Sequence, residues 1–402
     1  MRILLCSAQL PGHLDWGGYL PTAVELAQRG HEVIWASGQA VAPLVIKHGL
    51  AFCTLNETGW RWPPPPPLPA PADPKQMTEW QRTRALRALD QWLDPARVEP
   101  AVDELYAVAA HFKPDLLVSE MFVAAAGIVA EMLDVPFVVA GWPARPVQDR
   151  SRDQLVLLAR ARLETLFQRF QVQGDCWTSS GPPALRSALL HLTFWSERWY
   201  AGVPLSDQTR HVGGLIGQTL AADPRLPAPG DNPWVVITLG TSFNDDPNFF
   251  VAAAHAAQQV GALPVILLGA PTAGRSWLQQ LPATAKVLDH VDFREVLPYS
   301  TAAIHHGGAG TTHALVTYAV PQIVSPHAAD QIQQAQGIVR SGAGMSLAPR
   351  EVTVASLATG LAALMPDLSS HRAQAVSLQT EFAALGGAPS AATLLEEICM
   401  VN

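Results

Sequence analysis

The chain is poor in cysteine, poor in charge and without a long hydrophobic run. Its four cysteines, Cys6, Cys53, Cys176 and Cys399, are scattered, with no CxxC pair and no metal-ligand spacing. This argues against a disulfide framework or a zinc site and for reduced, structural thiols of a cytoplasmic protein. Only 15% of the residues are charged, the net charge is −8, and Lys and Arg form no cluster. Nucleic acid is therefore not an expected partner, because polyanions are bound through grouped cations. No stretch reaches the roughly 18 apolar residues of a membrane span, since Glu131 and Asp134 break the longest candidate. The run ILLC after Arg2 is cut short by Pro11 and His13, too early for a signal-peptide core. A protein without a transmembrane segment is expected, with a peripheral membrane contact left open as a route for apolar ligands. Neither half opens on a strand-linked GxGxxG, which speaks against a dinucleotide oxidoreductase.

What is present is a chain of 402 residues, 49% apolar, long enough for two domains that each bury a core. Strand and helix patterns alternate from the start. RILLCS, EVIWAS and AFCTL read as strands, with helices over 17–29 and 39–48 that stop at Gly30 and Gly49. DLLVS, a helix over 124–133 and PFVVA continue the scheme. WVVITLG, a helix from about Pro247, PVILLG, KVLDHV, TAAI and PQIVSP repeat it, and 370–384 reads as a further helix. Such alternation predicts an α/β fold of two Rossmann-like, doubly wound parallel sheets. Residues 221–233, AADPRLPAPGDNP, lack periodicity and read as the linker between them. The proline run in WRWPPPPPLPAPADP, residues 60–74, reads as an extended loop before a long helix near Lys75.

Residues 303–331, AIHHGGAGTTHALVTYAVPQIVSPHAADQ, are the most informative. A short buried strand opens into two histidines and three glycines, and a helix follows over 311–318. Glycines let the backbone approach a ligand, while the unpaired N–H groups and dipole of a first helical turn favour negative charge. The pattern outlines an anion site, with phosphate the expected ligand.

This stretch resembles the donor-binding signature of the family 1 glycosyltransferases of GT-B fold, as found in bacterial antibiotic and sterol glycosyltransferases. The resemblance runs without a gap over about residues 290–347 and more weakly over the first strand, loop and helix and over 114–120. It implies two Rossmann-like domains facing across a cleft. An acceptor-binding domain would span 1–220 and a nucleotide-sugar-binding domain 234–385, with 386–402 packing back on the first. It also implies an inverting transfer of a sugar from a UDP- or dTDP-activated donor to a hydroxyl of an apolar small molecule of lipid, sterol, polyketide or carotenoid type. The nucleotide sugar serves as co-substrate and no other cofactor is expected.

Such a transfer needs a base, a site for the leaving diphosphate and contacts to the sugar. By the resemblance, His13 in PGHLDWGG is the base. The spacing from this loop to RGH is two residues longer than in the family, so Asp15 stands as the alternative. Glu120 in PDLLVSEMF falls where the family places the aspartate that orients the base; otherwise it is a carboxylate favouring a helix start. His306 and the backbone from Gly308 through Ala309 and Gly310 to Thr311 would hold the diphosphate, with Thr241 or Ser242 of TLGTS opposite. His305 packs at the strand end in this reading, and the glycines have little other reason to be there. Asp330 and Gln331, about two dozen positions after His306, would hold the sugar, against a plain helix cap for Asp330. His290, beside Val291, takes the family's base-stacking position. Phe293 replaces a glutamine and Ala314 a ribose-binding glutamate, so the nucleotide is not defined.

No DxD motif follows an apolar strand; Asp245 and Asp246 lie in a turn, and metal independence is expected. Trp60, Trp62, Trp80, Trp92 and Trp142 fall in the half that binds acceptors in the family, although large aromatics are more often core. Two alternatives remain at this level, a GT-B sugar-nucleotide epimerase and a non-catalytic nucleotide-sugar-binding protein.

Overall fold

A computed structural model describes residues 1–401 except 15, 16, 64, 67, 70, 72, 142, 143, 145, 148–152, 231, 242–245, 270, 273, 328 and 329; of His13 and Val401 it describes the backbone alone. The chain divides into two compact units. The first comprises Met1–Phe194, Val203–His211 and Ala388–Asn402, the second Trp195–Gly202 and Val212–Gly387.

In the first unit the strands and helices follow in order: β1 (Arg2–Cys6), α1 (Tyr19–Gln28), β2 (Glu32–Ser37), α2 (Ala42–Lys47), β3 (Ala51–Thr54), α3 (Met77–Asp90) and α4 (Pro95–Phe112). There follow β4 (Leu116–Ser119), α5 (Ala124–Leu133), β5 (Phe137–Val139), α6 (Gln154–Phe170), β6 (Leu190–Thr193) and β7 (Thr209–His211). The described strands form one parallel sheet in the order β3-β2-β1-β4-β5-β6-β7. Its central strands are apolar runs, because helices cover both faces of a parallel sheet and leave no wet side. Leu4, Leu117 and Phe137 accordingly share a core with Val98, Leu105 and Ile128 of the helices.

The second unit repeats the plan with β8 (Trp234–Thr238), α7 (Pro247–Gln259), β9 (Leu263–Leu267), β10 (Lys286–Leu288), β11 (Ser300–His305), α8 (Ala309–Thr317), β12 (Gln322–Val324), α9 (Gln331–Ser341), β13 (Gly344–Ser346), α10 (Val354–Leu364) and α11 (Ser370–Ala384). Its described strands run β10-β9-β8-β11-β12-β13, again all parallel. Each unit is thus an α/β, doubly wound parallel sheet, as the sequence predicts.

The last helix, α12 (Gly387–Val401), belongs from Ala388 onward to the first unit. It is tied there by Glu396, whose carboxylate accepts from Arg29 at 2.8 Å and lies 2.7 Å from His31 Nε2. The chain passes between units around residues 194–212, not through 221–233. That Pro-rich segment lies inside the second unit, where Asp223 and Leu226 are buried. Proline and glycine mark irregular backbone there, and irregular backbone packs against a core as readily as it links two.

Candidate active site

In each sheet the strand order reverses at one point, and ligands of doubly wound folds bind outside the carboxyl ends of the strands beside that point. In the first unit the reversal lies between β1 and β4. Both ends are tightly held. Tyr19, the first residue of α1, donates its hydroxyl to the carbonyls of Cys6 at 2.9 Å and Val118 at 3.1 Å. Burial, first, and then the neighbouring Cys6 and Glu120 keep that hydroxyl well above the usual tyrosine range, so it stays a donor. Ser37 Oγ donates to the Ser7 carbonyl at 2.7 Å, and Trp35 Nε1 to Ser7 Oγ at 3.0 Å.

Glu120 follows β4 directly and is fully buried. Its Oε1 accepts the Ala8 amide at 2.8 Å, which ties the end of β4 to the loop that leads to His13. The helix-start reading does not describe it: α5 begins at Ala124, and its cap residue Val123 makes no side-chain capping bond. His13 closes a 3-10 turn, Pro11–His13. Its side chain, and the whole of Asp15, lie outside the described residues. Trp60 and Trp92 are half-buried and pack on Phe122, with ring centroids at 5.3 and 6.0 Å. Trp142 is not among the described residues.

In the second unit the reversal lies between β8 and β11. His305 is fully buried; its Nδ1 accepts the Gly307 amide at 3.1 Å, which leaves Nε2 to donate to Gln322 Oε1 at 2.9 Å. Burial lowers its pKa to about 4. His306 is also buried, and its pKa is lowered to about 3 by burial first, then by His305 and His327. It is thus a neutral imidazole, hydrogen-bonded to the Thr238 backbone, and its Nδ1 has no partner among the described residues.

The ring of His306 is enclosed by glycines. A Cβ at Gly308 would stand 2.6 Å from its Nε2, and one at Gly240 2.8 Å from its Cε1. Gly307, at φ +89°, has Val324 and the Gln331 carbonyl 2.8 and 3.1 Å from where its Cβ would be. These glycines therefore have a reason besides a ligand: they make room for the imidazole and for the start of α9. What packing leaves unexplained is the start of α8. Its cap residue, Gly308, offers no side-chain acceptor to the amides of Ala309, Gly310 and Thr311.

Asp330 occupies the cap position of α9 yet makes no side-chain capping bond, so the plain-cap role is not the one observed. Gln331 is buried, and its Oε1 accepts the His327 amide at 2.8 Å. Thr241 is exposed in the turn after β8, and Ser242 lies outside the described residues. His290 is exposed, and its carbonyl accepts from Arg225 at 2.9 Å. Val291, Phe293 and Ala314 are half-buried and pack together with Trp234 and Leu288. Asp246 caps α7, accepting the Phe249 amide at 3.1 Å; Asp245 lies outside the described residues. No group of three or more His, Cys, Asp and Glu among the described residues could hold a metal ion. None of their helices is long and apolar enough to cross a membrane.

Sequence reading missed Gln322, Ser325 and His327. Their signal was present: a polar residue at the head of one strand, and a serine and a histidine in SPHAADQ between that strand and Asp330.

Residues 255–398 match the family described as erythromycin biosynthesis protein CIII-like, C-terminal domain. The NDP-glycosyltransferase YjiC of Bacillus subtilis is 25% identical, with 92% of this chain and 91% of that one covered. The 4'-demethylrebeccamycin synthase of Lentzea aerocolonigenes is 25% identical over 98% and 99% of the two chains. Among solved structures, the spinosyn rhamnosyltransferase SpnG complexed with thymidine diphosphate superposes with a TM-score of 0.76 at 21% identity, covering 98% of this chain and 100% of that one.

Proposed function

We propose that the chain is a nucleotide-sugar-dependent glycosyltransferase of family 1, with GT-B fold, and that it transfers a sugar from a UDP- or dTDP-activated donor to a hydroxyl of an apolar small molecule, with inversion. The acceptor is of polyketide or related lipid, sterol or carotenoid type; relatives that act on aklavinone and 10-deoxymethynolide support the polyketide-like end of that range. The second unit binds the donor. Amides at the start of α8 donate to the diphosphate, which lies against the ring of His306 with Thr241 or Ser242 beside it, while Asp330 and Gln331 hold the sugar. His13 takes the acceptor proton, with Asp15 as the other candidate, and Glu120 orients the base and stabilises its charged form. A single displacement, with base and leaving group on opposite faces of the anomeric carbon, inverts it.

The observation that carries this reading is the boxed imidazole: a buried ring with a partnerless nitrogen beside an uncapped helix start. Buried polar atoms of this kind without a protein partner are costly and suit a ligand that pairs with them. The free amides of the helix start also do the work a metal would do on a departing diphosphate, so the reaction is expected to be metal-independent. The test is incubation of the protein with UDP- and dTDP-glucose and a panel of hydroxylated polyketides and lipids. Glycosylated product together with free diphosphate is expected. Release of diphosphate with no acceptor present would turn the assignment toward an epimerase.

A further inference from the structure

Apart from the groups already described, the second unit holds a small polar cavity at the carboxyl end of β12. It measures about 60 Å³ and is lined by Asp246, Asn248, Phe249, Ser325, His327 and Val352, all of the second unit. That is room for a few water-sized groups and too little for a sugar ring.

Two of its walls are polar and unsatisfied. Ser325, immediately after β12, is fully buried, and its Oγ has no partner among the described residues. His327 Nε2 is buried and equally without one. Leaving such atoms unpaired is costly, and an alanine and a leucine would fill the same space without that cost. The cavity lies beside the residues read as sugar-binding. Gln331 Oε1 holds the His327 amide, Asp330 stands next to Gln331, and the His327 ring is close enough to His306 to lower its pKa. The carboxylate of Asp246 on the opposite wall makes the cavity unfavourable for an anion, so a phosphate is not the occupant.

We infer that this cavity is a subsite for a hydroxyl or hydroxymethyl substituent of the donor sugar, with Ser325 and His327 as its specificity-determining contacts. The inference rests on the reading of the second unit as the donor-binding one. A hydroxyl donates to one wall and accepts from another, as Ser325 Oγ, His327 Nε2 and Asp246 together require.

The test is calorimetric titration of UDP, dTDP, UDP-glucose and dTDP-glucose into the wild-type protein, Ser325→Ala and His327→Gln, with thermal unfolding as the folding control. Each variant should bind the preferred nucleotide-glucose about tenfold more weakly, the loss of one buried hydrogen bond, while keeping wild-type affinity for the free diphosphate. Ser325→Ala is smaller by one oxygen and folds if His327→Gln does not. Equal loss for sugar-bearing and free nucleotide, or loss for neither, overturns the subsite and leaves the donor site standing. Failure of the wild-type protein to bind any of the four overturns both.

Discussion

The two strand-order reversals are built alike and equipped differently. At the first, between β1 and β4, the polar groups are tied to one another: Tyr19 spans the two strand ends and Glu120 takes the Ala8 amide. At the second, between β8 and β11, His306 Nδ1, Ser325 Oγ and His327 Nε2 are buried without partners among the described residues, and α8 starts without a side-chain cap. Groups tied in this way hold the loop beside them still, whereas buried polar atoms without partners favour a ligand that pairs with them. The donor-binding role proposed for the second unit therefore rests on its own physics, whereas the base proposed for the first is assigned through the resemblance and must be tested by chemistry.

The largest effect should come from the half with the smaller physical signature. His13→Ala is expected to lower kcat by about two to four orders of magnitude, the usual worth of a positioned base, with donor affinity unchanged. Steady-state kinetics beside Asp15→Asn decides between the two candidates. Should Asp15→Asn abolish turnover while His13→Ala stays active, the assignment moves to Asp15.

Glu120→Gln removes charge at nearly constant shape and keeps an acceptor for the Ala8 amide. A fall of about 10- to 100-fold in kcat is expected. The apparent pKa of the base should drop, because the neighbour that favours its charged form is gone. Profiles of kcat between about pH 5 and 9 for wild type, Glu120→Gln and Glu120→Asp read both effects. Identical profiles would leave Glu120 as a tether for the loop alone.

The same contrast governs what could be read before the structure. Parallel strands are buried on both faces, so WVVIT and LLVS announce themselves as apolar runs, and Gly30 and Gly49 follow the helices they end. The 303–331 motif is local in sequence, which made its strand, turn and helix legible together. The passage between units was not. Residues 194–212 carry ordinary strand and turn patterns, whereas the proline-rich 221–233 only looks like a linker. Glu120 was legible as a residue but not in its contact, since its partner Ala8 is 112 positions away and the bond uses a backbone amide that no sequence motif marks. Ser325 and His327 were overlooked for the opposite reason: they stand beside a stronger motif.

Smaller effects concern the buried histidines and metal dependence. His305 and His306 sit at about 4 and about 3, below the ordinary 6.5, and His191 of the first unit is likewise at about 4, chiefly through burial. The unfolded chain takes up protons there that the folded chain refuses, so stability is complete above about pH 6.5 and is lost as pH falls through 6.5 toward 3 to 4. Thermal unfolding against pH should show this, with a shallower acid slope for His306→Gln. An unchanged slope would mean that His306 is not held neutral by the fold. Turnover should be unchanged by EDTA; loss restored by magnesium or manganese would contradict the metal-free leaving-group site.

The central claim is that the second unit is a ready-made diphosphate site centred on His306. Calorimetric titration of UDP and dTDP into the wild-type protein and His306→Ala, at neutral pH, tests it most directly. The account predicts that the wild-type protein binds at least one of the two and that the variant binds it about tenfold more weakly, because the ring that packs against the diphosphate is lost. Equal affinity of wild type and variant for both diphosphates would contradict it.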